Sequence, residues 1–201
     1  LLFLQFNNAA IYDATGKNNI ETIGGVSAST SVTQFGISTI NANGSSGYLK
    51  LPHISSYNLG SSNFTIDGWS YPTNTSAGTR VLLQKGTAYQ IIQSGTSLLF
   101  YASSTGSSWD IANGVTIGTL SATTQQYYFI VRSGNTWTTY LGGVQGSTFT
   151  SSASIASNTT ALTVFADSSG TNFFNGNIFD GPRITLIARP NIIPFQPFST
   201  Y

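Results

Sequence analysis

The 201-residue chain holds only 6% Asp, Glu, Lys and Arg, where an average soluble domain has about 25%, and its net charge is +1. Such a chain carries no long-range field to steer a nucleic-acid backbone or an anionic membrane, and its seven basic residues form no patch interleaved with stacking rings. With no cysteine there is no disulfide framework and no zinc–thiolate site, and no run approaches the roughly 18 apolar residues of a membrane span. The surface must be built from Ser, Thr, Asn, Gln and Gly. A near-neutral protein of this kind tends to self-associate, which fits both an extracellular β protein and a homo-oligomeric subunit held inside an assembly.

In chain order, LLFLQF (1–6) is apolar but too short for a signal core and lacks a basic flank, so it reads as a first strand. Further strands are GYLKL (47–51), FTIDGWSYP (64–72), RVLLQKG (80–86), YQIIQS (89–94), SLLFYAS (97–103), QYYFIVRS (126–133), TWTTYLGG (136–143), LTVFAD (162–167) and GNIFDGPRIT (176–185). No window carries the i, i+3, i+4, i+7 pattern of a helix, and turn residues recur every 8–12 positions. QYYFIVRSGNTWTTYLGG reads as a hairpin: Tyr127, Phe129 and Val131 share one face of its first arm, and Trp137, Thr139 and Leu141 share one face of the second. Half-buried strands in this number predict an all-β fold, an antiparallel two-sheet β-sandwich of jelly-roll type. No linker or composition shift divides the chain, so residues 1–201 are expected to form one domain, with 189–201 an extended tail.

Strand 64–72 places Phe64 and Ile66 on one face and Asp67, Trp69 and Tyr71 on the other, and Pro72 removes a donor and stops the ladder. An acid among large rings that bury apolar area is read as structural, so Asp67, Trp69 and Tyr71 are assigned to the framework. Glycoside hydrolysis needs two carboxylates about 5–9 Å apart. The six acids, Asp13, Glu21, Asp67, Asp110, Asp167 and Asp180, include no pair within six residues, so catalysis is not expected. His53, the single histidine, is read as a loop hydrogen-bonder, and no G-x-S-x-G elbow frames a serine nucleophile. Residues 13–19 and 167–172 each offer one acid with nearby Thr and Asn oxygens. Calcium sites usually use two acids, so these read as Asx-turns and no cofactor or metal is assigned. Glycan binding needs an exposed ring beside amides and hydroxyls. Tyr101, Trp109, Asp110 and Asn113 are the candidates, on a polar loop at the rim, against the favoured reading that Trp109 caps the core edge. Trp137 is a weaker candidate.

FTIDGWSYP resembles the FTIE-x-W-x-YP strand of laminin-G-like, concanavalin A-like domains. GSSGYLKLP (44–52), SSTGSSWDIANGVTIGTLSA (103–122), VRSGNTWTTYLGGVQ (131–145) and FNGNIFDGPRITLIAR (174–189) resemble further strands of the same family, in the same order. The tail PNIIPFQPFSTY is similar to the Pro/Phe-rich ending of versions found in phage virion proteins. The chain departs from the family pattern at Gly142 and Gly143, at Gly181 and Pro182, and at Tyr128. The resemblance implies a non-catalytic module of a tail fibre, receptor-binding protein or capsid decoration, with capsid or tail subunits as partners, host-glycan contact, and a virion or extracellular location. Pro190, Pro194, Phe195, Pro197 and Phe198 are assigned to docking on the particle, against the simpler expectation that the tail wraps the sandwich. The alternative function is a free-standing carbohydrate-binding lectin module, and a glycoside hydrolase is third.

Overall fold

A computed structural model of the protein describes residues 2–5, 11–35 and 37–194. Among them are sixteen strands: β1 Leu2–Gln5, β2 Tyr12–Asp13, β3 Glu21–Ile23, β4 Ser27–Gln34, β5 Ile37–Asn43, β6 Tyr48–Leu51, β7 Phe64–Pro72, β8 Thr79–Lys85, β9 Tyr89–Ser94, β10 Ser97–Ala102, β11 Ala112–Thr119, β12 Gln126–Ser133, β13 Thr136–Leu141, β14 Val144–Thr150, β15 Leu162–Val164 and β16 Asn175–Thr185. The one helical piece among the described residues is a 3₁₀ turn at Ser55–Tyr57. The strands form two antiparallel sheets, as the alternation predicts. A nine-stranded sheet runs β14-β13-β12-β7-β16-β1-β2, with β5 also on β16 and β4 on β5. A seven-stranded sheet runs β11-β10-β9-β8-β15-β6-β3.

Period-two alternation builds the core between the sheets. Phe64 and Ile66 of β7, Tyr128 and Ile130 of β12, and Ile178 and Ile184 of β16 enter it from one side. Leu49, Leu83, Ile91, Phe100 and Val164 enter it from the other. Trp137 of β13 lies at its centre, fully buried. It meets Phe64 edge-on at 5.3 Å, stacks on Phe149 at 5.5 Å, and donates Nε1–H to Ser151 O at 3.1 Å. Its register partner Arg132 covers it, with the guanidinium carbon 4.9 Å from the ring. The expectation of Trp137 as a glycan-contact residue is therefore corrected: the hairpin register turns it inward.

A smaller apolar cluster lies on the outer face of the nine-stranded sheet, where Tyr127 and Phe129 pack with Trp69, Val131, Tyr140 and Ile193. Two departures from the family pattern have local causes. Gly142 and Gly143 form a two-residue turn between β13 and β14 with φ of 57° and 81°, values that two positive-φ hairpin positions demand and that glycine meets without strain. In β16 the register on β7 slips from Phe179↔Trp69 to Arg183↔Asp67, so two extra residues bulge out. A Cβ on Gly181 would sit 3.0 Å from Gly68 Cα, so a glycine lets the two backbones approach at the bulge.

Candidate functional site

The polar rim loop 103–111 joins β10 to β11 on the seven-stranded sheet. Tyr101 points outward from β10, in register with Gln90 of β9 on one side and Asn113 of β11 on the other. Gly114 has φ of +73°, and a Cβ there would come 3.1 Å from Tyr101 Oη. Glycine is thus what lets the phenol lie over β11. Trp109 comes from the loop and meets Tyr101 edge-on, with centroids 5.6 Å apart. Both rings are half-buried, while Asp110 and Asn113 are exposed.

The loop is held by its own polar groups. Ser103 Oγ accepts from Gly106 N at 2.8 Å, Thr87 Oγ1 donates to Gly106 O, and Ala156 N donates to Ser103 O at 2.8 Å. Ser104 donates both its backbone N–H, at 2.8 Å, and its hydroxyl to the Asp110 carboxylate. Those bonds from Ser104 hold the Asp110 carboxyl below the usual carboxylate range. The four sequence candidates thus come together as a ring pair flanked by a fixed acceptor and an amide. Such a surface suits the C–H face and hydroxyl edge of a sugar ring. Trp109 lies against Tyr101 on the outer side of the sheet and is not part of the core.

Asp67 occupies a different environment. It is fully buried on the outer face of β7. Arg183 donates to it from Nε at 3.3 Å and Nη2 at 2.7 Å, and Arg189 Nη2 and Tyr127 Oη also donate to it. The β16 bulge sets Arg183 opposite Asp67. Burial first, then the Asp67 charge, pushes the Tyr127 phenol well up. Trp69 shares this face, 5.3 Å from Tyr127, and Tyr71 lies edge-on to Phe179 at 6.2 Å. A carboxylate gripped by two guanidiniums and a phenol is an ion-pair hub.

Residues 186–194 form a strap across this face. Thr65 Oγ1 donates to Ile187 O at 2.8 Å and accepts from Arg189 N at 2.9 Å, and Ile193 packs on the outer cluster. Pro190 is exposed and Pro194 half-buried, while Phe195, Pro197 and Phe198 lie outside the described residues.

The remaining candidates are local. Asp13 accepts from Thr15 N at 3.1 Å and Asn18 N at 3.1 Å, and Asp167 from Ser169 N at 3.0 Å and Thr171 N at 2.8 Å, so both carboxylates close their own turns. His53 Nδ1 is buried and has no hydrogen-bond partner among the described residues. Gln84 and Gln90 were not singled out from sequence. They are outward residues of ordinary strand alternation, and only sheet register places Gln90 beside Tyr101.

Residues 43–184 match the Laminin_G_3 family, described as the concanavalin A-like lectin/glucanases superfamily, and the chain belongs to that family. No curated protein sequence matches the chain. Among solved structures, it is similar to the binding domain of botulinum neurotoxin DC in complex with rat synaptotagmin II (13% identity, TM-score 0.73, 94% of this chain and 48% of that one). It is also similar to a botulinum neurotoxin type C structure whose report concerns cell entry through two ganglioside molecules (13% identity, TM-score 0.72, 94% and 48%). A third is the binding domain of Paraclostridial Mosquitocidal Protein 1 (17% identity, TM-score 0.69, 94% and 49%). At these identities the likeness establishes the fold, and the chain spans about half the length of each structure.

Proposed function

We propose that the protein is a non-catalytic attachment module of a phage virion, in a decoration, fibre or tail role, that contacts host-surface glycan through the Trp109/Tyr101 face. The observation that carries the binding half is the half-exposed ring pair with Asp110 and Asn113 beside it. A neutral, charge-poor surface and the Pro/Phe-rich tail favour life within an assembly. Catalysis is disfavoured by the carboxylates themselves. Asp110 is the only acid of its loop, Asp67 is committed to two arginines, and hydrolysis of a glycosidic bond needs a facing pair.

The test is a glycan array read with wild-type protein and Trp109→Ala. Binding by the wild type, lost in a variant of unchanged melting temperature, is the expected result; an array silent for both would sink the glycan half. The second reading, a free-standing lectin, shares the ring pair and differs in assembly. The virion reading expects a contact burying more than about 1,000 Å² in imaged particles, whereas the lectin acts as a monomer.

A further inference from the structure

The outer face of the seven-stranded sheet carries one residue from every strand in a single cross-strand row. Asn113 pairs with Tyr101, Tyr101 with Gln90, Gln90 with Gln84, Gln84 with Thr163, Thr163 with Lys50, and Lys50 with Glu21. The row is not uniformly open. Thr163 is buried because the loop after β15 folds back over it, with Thr163 Oγ1 donating to Ala166 O at 2.8 Å. Beyond it, Lys50 and Glu21 form an ion pair at 3.5 Å. What remains accessible is Asn113, Tyr101, Gln90 and Gln84, a floor three inter-strand steps long, roughly 14 Å at the usual spacing.

Both ends of this floor are walled. At one end stands Trp109 on the 103–111 loop. At the other, Ser168 N donates to Gln84 Oε1 at 2.6 Å, holding the 167–171 turn upright. Between that turn and the β8–β9 turn lies a recess of about 350 Å³, lined by Gln84, Gly86, Thr87, Asp167 and Ser168 among others. The floor is made of amides and a phenol. Gln84 Nε2 donates to Gln90 Oε1 at 2.8 Å, a bond that takes up the Gln90 acceptor rather than its amide nitrogen. The charges at its ends, Asp110 and Asp167, are both negative, and the row's one cation is already paired.

We propose that this row is the floor of an extended site for an uncharged linear oligosaccharide, which lies across the strands from Trp109 and Tyr101 to the recess beside Gln84. The proposal rests on the glycan reading above and specifies its ligand. The floor is too long for one ring, its groups match neutral hydroxyls, and two carboxylates at the ends repel an acidic sugar.

The experiment titrates the full chain with cello-, xylo-, malto- and manno-oligosaccharide ladders, from the monosaccharide upward, and with sialyllactose. One neutral ladder is expected to gain about tenfold in affinity between one ring and the longer chains. Gln90→Ala should remove that gain and leave the single-ring affinity and the melting temperature unchanged. Gln84→Ala should also remove the gain, with a lower melting temperature because Ser168 loses its acceptor, so Gln90→Ala is the deciding variant. Binding that Trp109→Ala abolishes but that ignores chain length and Gln90 leaves the glycan reading in place and overturns this one, as does preference for sialyllactose. No binding of any probe to the wild type overturns both.

Discussion

Asp67 sits in the middle of β7 with no exposed surface, and the Arg183 and Arg189 side chains that hold it are each about one-fifth exposed. Taking away the carboxylate leaves two guanidiniums and the Tyr127 hydroxyl without their shared acceptor, which is the costly way to break a buried ion pair. Asp67→Ala is expected to lose about 3–5 kcal/mol in equilibrium denaturation, with glycan affinity per folded molecule unchanged. A variant that unfolds at the wild-type denaturant midpoint, or that folds normally and loses glycan, would show the residue is not part of the framework. Alternation in FTIDGWSYP is enough to place Asp67, Trp69 and Tyr71 on one face. The arginines that complete the site lie 116 and 122 positions away, and no local pattern names them. Trp137 shows the opposite failure. Its position after a Gly-Asn turn suggests a rim, yet strand pairing fixes it opposite Arg132 and sends it into the core.

The strap 186–194 is tied to β7 by the Arg189–Asp67 ion pair and by one hydroxyl. Thr65 Oγ1 both donates to the strap carbonyl of Ile187 and accepts the Arg189 N–H. Thr65→Val keeps the shape and removes both bonds, each worth about 1 kcal/mol net. The expected outcome is a loss of about 1–2 kcal/mol and faster hydrogen exchange at the Arg189 amide. An Arg189 amide as protected as before would mean that the ion pair with Asp67 holds the strap unaided. The strands readable in sequence are those with apolar alternation, and β7, β9 and β12 match their expected bounds to the residue. β4 (SASTSVTQ) and β5 (ISTINAN) are hard to read in sequence, because Ser, Thr and Asn dominate both strands and only the pairing of β5 with β16 and with β4 sets Ile40 and Ala42 into the core. β14 (VQGSTFT) was missed for the same reason: it is a sheet-edge strand with most of its residues exposed.

With so few ionisable groups, the pH dependence of folding is set by a handful of buried ones. Lys85 is fully buried and donates to Asn158 O at 3.1 Å, to Asn158 Oδ1 at 2.9 Å and to Thr160 O, with its pKa pushed down to about 8 by burial. From about pH 8 to the ordinary lysine value near 10.5, the unfolded chain holds a proton that the native one has released, so stability rises with pH. Burial pushes Tyr57, Tyr89, Tyr127 and Tyr128 up from 10.0, so above that pH the native state holds protons the unfolded chain gives up, and stability falls. Urea midpoints should therefore peak near pH 10, and Lys85→Met should abolish the rising limb. A midpoint that declines steadily from pH 8 in the wild type would contradict this. A two-sheet sandwich follows from strand period and turn spacing, but the full order of strands within each sheet does not, because the pairings that join β7, β16, β1 and β5, and β8, β15 and β6, are distant in sequence. The centre of the nine-stranded sheet shows this most plainly. β7 pairs with β12, and its other edge waits for β16, whose opposite edge carries β5 at its start and β1 near its end. During synthesis, β1, β5 and β7 therefore leave the ribosome long before the strand that joins them. The nascent chain must keep one edge of each of these strands open until β16 arrives, and folding falls in the slow, millisecond-to-second regime of late, non-local closure.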